Sequence, residues 1–247
     1  MKSLVVLALV AGLLAAPAPA PAATPPARTA PPAQTAERAS TARTIHLGGV
    51  AVTLHSGTTQ VVTVNRSSGH LARVSLYQRV DGRWRRLTTT TDGRIGYGGL
   101  VQGSKRRQGT GTTPLGTYAL PSTFGTHRQR SDWDLSHRLI RSGDFWVQDN
   151  ASDYYNRYRN QRDGGFRWWL KGHPESSERL TDYGKQYEYA IVTTFNQSQV
   201  RHRGAGIFVH VNGKGATAGC VSAPLWFLTS LFARLDPERR PVVAIGR

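Results

Sequence analysis

The chain has 247 residues, a single cysteine and a formal net charge of +17, from 32 Lys and Arg against 15 Asp and Glu. One cysteine excludes an internal disulfide, so stability has to come from ordinary packing. No apolar run reaches the roughly 20 residues needed to cross a bilayer, which argues against an integral membrane protein, while the charge suits a polyanionic partner.

Lys2 precedes an apolar run over residues 4–16, and Ala18, Ala20 and Ala22 follow in A-x-A arrangement. This pattern predicts a secretory signal peptide over residues 1–22, with no cysteine behind it to carry a lipid. Residues 23–44 are Ala, Pro and Thr with a few charges, too poor in apolar side chains to offset the entropy of ordering, and they read as a disordered tether. Residues 45–247 suffice for one folded domain. Export makes an anionic cell-wall polymer a better candidate than nucleic acid for the polyanion, although scattered arginines also fit a simple bias of genome composition.

Short alternating segments over residues 50–87 predict antiparallel strands, with Asp81-Gly82 as a hairpin turn. The glycine-rich residues 93–122 follow, in which Thr113-Pro114-Leu115-Gly116 reads as a turn leading into a strand at Thr117-Tyr118-Ala119-Leu120. Residues 124–185 are polar, aromatic and without sustained period, which predicts a long loop acting as a lid or as an aromatic cover on the core. Strands are expected at residues 187–195 and 206–211. Beyond Cys220, residues Leu225, Leu228, Leu231, Phe232 and Leu235 share one helical face, with Ser222 as a cap, Pro224 in the first turn and Asp236-Pro237 as the stop. A last strand is expected at residues 241–246.

Cys220 thus falls on a glycine-containing loop ahead of a helix, ten residues after His210 at the end of a strand. A helix N-terminus and a histidine can lower a thiol's pKa from about 8.5 toward neutrality and produce the attacking thiolate. Gly219 permits tight backbone geometry, and the amides of Gly219 and Cys220 can face a developing oxyanion. The competing reading is a buried cysteine that behaves as a small hydrophobe. His46, His55, His70, His127, His137, His173 and His202 show no ligand spacing, so neither a metal nor another cofactor is expected.

"GTGTTPLGTYAL", "GIFVHV" and "TAGCVS", in that order, resemble the L,D-transpeptidase family with the YkuD catalytic domain, and "DFWVQDNASDYYNRY" and "SSERL" are similar to an actinobacterial-type branch of it. The resemblance covers most of residues 45–247. It implies a mainly β fold, a β-sandwich with a helix after the cysteine loop. It also implies Cys220 as nucleophile, His210 as its base, and Thr113, Pro114, Gly116, Tyr118, Thr217 and Ser222 near the substrate. The implied partners are peptidoglycan stem peptides, and the reaction is cross-linking through a cysteine thioester with release of D-alanine. Hydrolysis at the same site, or a catalytically inactive wall-binding module, are the alternatives. Ala218 stands where many members carry a second histidine. The group orienting His210 is either a backbone carbonyl near Val211 or the side chain of Asn212.

Overall fold

The computed structural model describes residues 42–247; the expected signal peptide and nearly all of the expected tether lie outside them. The tether reading is corrected at its end, because Arg43 and Thr44 already belong to the first strand. In chain order the strands are β1 (Arg43–Leu47), β2 (Val50–Leu54), β3 (Gln60–Ser68), β4 (Leu71–Val80), β5 (Arg83–Arg94), β6 (Leu100–Gln102), β7 (Thr113–Ala119) and β8 (Ser122–Gly125). They continue with β9 (His137–Leu139), β10 (Asp144–Trp146), β11 (Tyr158–Asn160), β12 (Glu178–Arg179), β13 (Tyr189–Val192), β14 (Phe208–Val211), β15 (Val221–Ala223) and β16 (Val242–Gly246). Among the described residues α1 (Leu225–Phe232) is the one α-helix. The protein is therefore mainly β, as expected.

Eleven strands form one mixed sheet in the order β6-β7-β16-β3-β4-β5-β15-β14-β13-β8-β9. The β4–β5 hairpin closes at Asp81 and Gly82, both with positive φ (51° and 75°), as the Asp-Gly signal requires. Thr113 to Gly116 do not turn. They lie within β7, which pairs in parallel with β6 and antiparallel with β16, so the sheet's hydrogen bonds override the Pro-Gly signal.

Alternation along the strands builds layers. Val62 and Val64 of β3 join Val243 and Ile245 of β16 in the main core under α1, while Val61, Val242 and Ala244 face the other way onto the β1–β2 hairpin. Phe227, Leu228, Leu231, Phe232 and Leu235 are buried in the main core, each worth roughly 2 kcal/mol on burial. The expected helical face is thus shifted: Leu225 is 43% exposed, and the helix ends at Phe232. Pro224 occupies the cap position, Asp236 caps the following 3-10 turn, and Ser222 is a strand residue bonded to Asn212.

The same alternation separates the two faces of β14. Val209 points to the main core, whereas Phe208 packs with Phe124, Trp146, Tyr155, Tyr187 and Cys220 in a second, aromatic cluster. That cluster is roofed by residues 124–185, which are not structureless: β10 pairs with β11 and β12, and Asp149 pins the segment by accepting from Arg167 Nε (2.9 Å) and from the amides of Arg167 and Ala151. The Arg167 bonds outweigh burial and hold the Asp149 carboxyl down at about 2. The segment is an aromatic cover in part: Phe145, Trp146, Tyr155 and Phe166 are buried, whereas Tyr154, Trp168, Trp169 and Tyr183 are exposed.

Candidate active site

Parallel pairing of β14 with β15 sets His210 opposite Ser222, so Cys220, two residues earlier, stands on the same face as His210 and level with Phe208. Both line a cleft of about 1180 Å³ walled by residues 213–218 on one side and by residues 168–172 of the cover on another. Arg94 holds the first wall by donating to the carbonyl of Gly213 (2.6 Å).

Nδ1 of His210 lies 2.8 Å from the Val211 carbonyl. A carbonyl can only accept, so Nδ1 carries the proton and Nε2 keeps a free lone pair, the form a general base needs. Asn212 is excluded as the orienter: its amide donates to Asp92 and its oxygen accepts from Ser222. Burial presses His210 down to about 4, only partly opposed by the Val211 bond, and so keeps the ring neutral.

The thiol corrects the sequence-based expectation. Burial, reinforced by the Glu178 carboxylate, pushes Cys220 up to about 12 against the smaller pulls of the Phe208 amide and Arg106. β15 intervenes before α1, so the helix N-terminus does not reach the sulfur, and Sγ donates to the Gly206 carbonyl at 3.1 Å instead of to His210. The resting pair is thus a neutral thiol beside a neutral imidazole, a state in which proton removal has to accompany attack.

Glu178 is the neighbour that sequence reasoning missed. Its Oε1 accepts from the Tyr187 hydroxyl and its Oε2 from Gln148 Nε2 (3.5 Å), and the Tyr187 ring stands edge-on to His210 at 5.4 Å. Burial raises this carboxyl to about 7, more than its two hydrogen bonds lower it. Above that pH its negative charge opposes thiolate formation; below it the charge is gone. Glu178→Gln should therefore speed alkylation of Cys220 by iodoacetamide about tenfold at pH 9 and leave it nearly unchanged at pH 6. Equal rates at pH 9, followed by intact mass, would remove Glu178 from the site's electrostatics.

The remaining expected residues divide sharply. Thr217 lines the cleft, accepts from the Gly219 amide (3.1 Å) and donates to the Cys220 carbonyl (2.6 Å). The Gly219 amide is thereby occupied and is not a free oxyanion donor. Thr113, Pro114, Gly116, Tyr118 and Ser222 are not among the residues lining the cleft. Thr113 is instead a fully buried tie that donates to the Gly219 carbonyl (2.7 Å) and accepts from the Gly96 amide (2.8 Å). Tyr118 turns its hydroxyl back to the Leu115 carbonyl. Gly116 is exposed beside it, Pro114 is buried in β7, and Ser222 is buried against Asn212.

Arg106, also unforeseen, is 5% exposed and reaches the cleft beside the cysteine loop. Nothing in the run Lys105-Arg106-Arg107 distinguishes it. Its place is made by Gly204 and Gly219, where a Cβ would meet the guanidinium at 1.6 Å and 2.8 Å. No group of His, Cys, Asp and Glu suited to a metal occurs among the described residues, nor is any helix there long and apolar enough to cross a membrane.

No family model matches the sequence, and no curated protein matches it. Among solved structures it is similar to the helical cell shape determining protein Pgp2 from Campylobacter jejuni, at 18% identity and a TM-score of 0.39 over 76% of this chain. A mutant of the same protein gives 17% identity and a TM-score of 0.38 over 77%. In both cases the chain spans 47% of that protein, about half its length. A likeness this distant carries no argument for fold type or activity.

Proposed function

We propose that the protein is an exported L,D-transpeptidase of the YkuD type, a β-sandwich enzyme that cross-links peptidoglycan stem peptides. The observation that carries this reading is the pairing, on one face of two parallel strands and in one cleft, of Cys220 with a histidine whose Nε2 is free to act as base. Layers packed on both faces of the large sheet support the fold assignment, and the exposed Arg73, Arg79, Arg83, Arg85 and Arg86 along β4 and β5, none in an ion pair among the described residues, suit an anionic wall polymer.

In the first half-reaction the thiol leaves the Gly206 carbonyl and turns toward His210. Nε2 takes its proton as Sγ attacks the carbonyl carbon of the third stem residue. The C–N bond to the terminal D-alanine then breaks, its amine takes the proton from Nε2, and a thioester remains. In the second half an amine of another stem peptide attacks the thioester and gives its proton to Nε2, the C–S bond breaks, and the departing thiolate takes that proton back from Nε2. Water in place of that amine makes the same site an L,D-carboxypeptidase.

Incubation of the purified protein with a disaccharide tetrapeptide, followed by mass spectrometry, tests the reading. Cross-linked dimer is the expected product. Loss of one alanine without dimer would assign the hydrolase, and the absence of any Cys220-dependent change would overturn both in favour of a binding module.

A further inference from the structure

Arg106 is a buried cation without an anionic partner among the described residues. Its Nε donates to the Thr112 carbonyl (2.7 Å) and Nη1 to the Arg203 carbonyl (3.1 Å), while the group lies 5.4 Å over the Phe195 ring. No carboxylate among the described residues forms an ion pair with it, and Nη2 makes no hydrogen bond there. A desolvated guanidinium is unfavourable unless its charge is met, and neutral carbonyls satisfy donors without meeting it.

Nη2 is directed at the backbone next to the nucleophile, 2.8 Å from where a Cβ of Gly219 would be. The thiol of Cys220 is neutral at ordinary pH and does not supply the missing anion. Glu178, the other charge of the cleft, is bonded to Tyr187 and Gln148 and forms no ion pair with Arg106. The missing anion therefore arrives with the ligand. Nη2 is the one guanidinium nitrogen without a hydrogen bond among the described residues, and a carboxylate is the anion whose geometry a guanidinium matches.

We propose that Arg106 is a specificity-determining residue that receives the free terminal carboxylate of the donor peptide, one residue beyond the carbonyl attacked by Cys220. This deepens the reading above and rests on it. It restricts the site to chain ends and makes a single amino acid the leaving group, because a longer or capped end brings no carboxylate to Nη2.

The test compares a disaccharide tetrapeptide with the same molecule amidated at its C-terminus. In the full chain carrying Cys220→Ala, calorimetry is expected to show the free acid binding at least tenfold tighter than the amide. In the unsubstituted protein kcat/KM should favour the acid by about a hundredfold. Arg106→Gln should bring both ratios close to one by weakening the acid and sparing the amide, and Arg106→Lys should keep part of the preference. Equal handling of acid and amide by the unsubstituted protein would overturn the proposal, as would an unchanged ratio in Arg106→Gln. Slower alkylation of Cys220 in Arg106→Gln with the ratio intact would overturn it too, and would make Arg106 a counter-ion of the thiolate. Should Arg106→Gln fail to fold, the acid and amide comparison in the unsubstituted protein and in Arg106→Lys decides. Failure of the parent reading is distinct: no turnover of either substrate, with the binding preference of the Cys220→Ala chain still reporting on Arg106.

Discussion

His210→Ala is expected to lower the rate of thioester formation at Cys220 by about a thousandfold or more, and Cys220→Ala to abolish it, with little loss of fold in either case. The size of the histidine effect follows from the resting state. A thiol raised to about 12 contributes almost no thiolate at neutral pH, so without a base at Nε2 the nucleophile is the thiol itself. The pH dependence identifies the mechanism. Burial lowers His210 to about 4, so the base remains competent down to about pH 5 and is lost only as pH falls through its own pKa. In Glu178→Gln the acylation kcat/KM should therefore stay level from about pH 5.5 to 9, and in the unsubstituted protein ionisation of Glu178 at about 7 should add only a decline of up to about tenfold toward alkaline pH. An acid limb centred at pH 6 to 7, present equally in Glu178→Gln, would return His210 to an ordinary imidazole and defeat the neutral-pair picture. If that limb vanished in Glu178→Gln, it would belong to Glu178, which titrates at about 7.

The two side chains of the proposed site could be singled out because each is marked locally. β-Branched and aromatic alternation defines residues 206–211 and puts His210 on the face opposite Val209, and a lone cysteine, which cannot form an internal disulfide, asks for a reason. The hairpin at Asp81-Gly82 was legible for the same kind of reason, since its turn chemistry lies within two residues. What failed depends on contacts between distant segments. The sign of the thiol's pKa shift is set by the aromatic cluster that encloses Cys220, and the cover's folding is set by buried ties such as Asp149 to Arg167 rather than by any period. Thr113 belongs to a motif that points toward substrate, yet its hydroxyl is consumed within the protein. Parallel pairing of β14 with β15 left no sequence mark, although it is what places Cys220 beside His210.

The glycine-rich stretch over residues 93–122 is where the second large effect is expected. Gly96→Ala should lower stability by about 3 kcal/mol or more, a fall in Tm of about 10 °C, and cut thioester formation at least a hundredfold. A Cβ at Gly96 would lie 2.0 Å from the Gly111 carbonyl oxygen and 2.9 Å from the Gly219 Cα, and both obstacles are backbone that no side-chain rotation can clear. Gly96 also bridges to Thr217, and Thr113 joins the Gly96 amide to the Gly219 carbonyl, so the segments around Gly96, Gly111 and Gly219 are tied at one point. Forcing them apart moves the residue next to Cys220 and displaces Arg106 along with it. Gly184→Ala is the matched control, since a Cβ there meets nothing within 4 Å, and it should leave both quantities unchanged. Thermal unfolding and intact-mass acylation read the two effects separately. Gly96→Ala with an unaltered Tm and full acylation would mean that the close approach of these three loops is not what holds Cys220 in place.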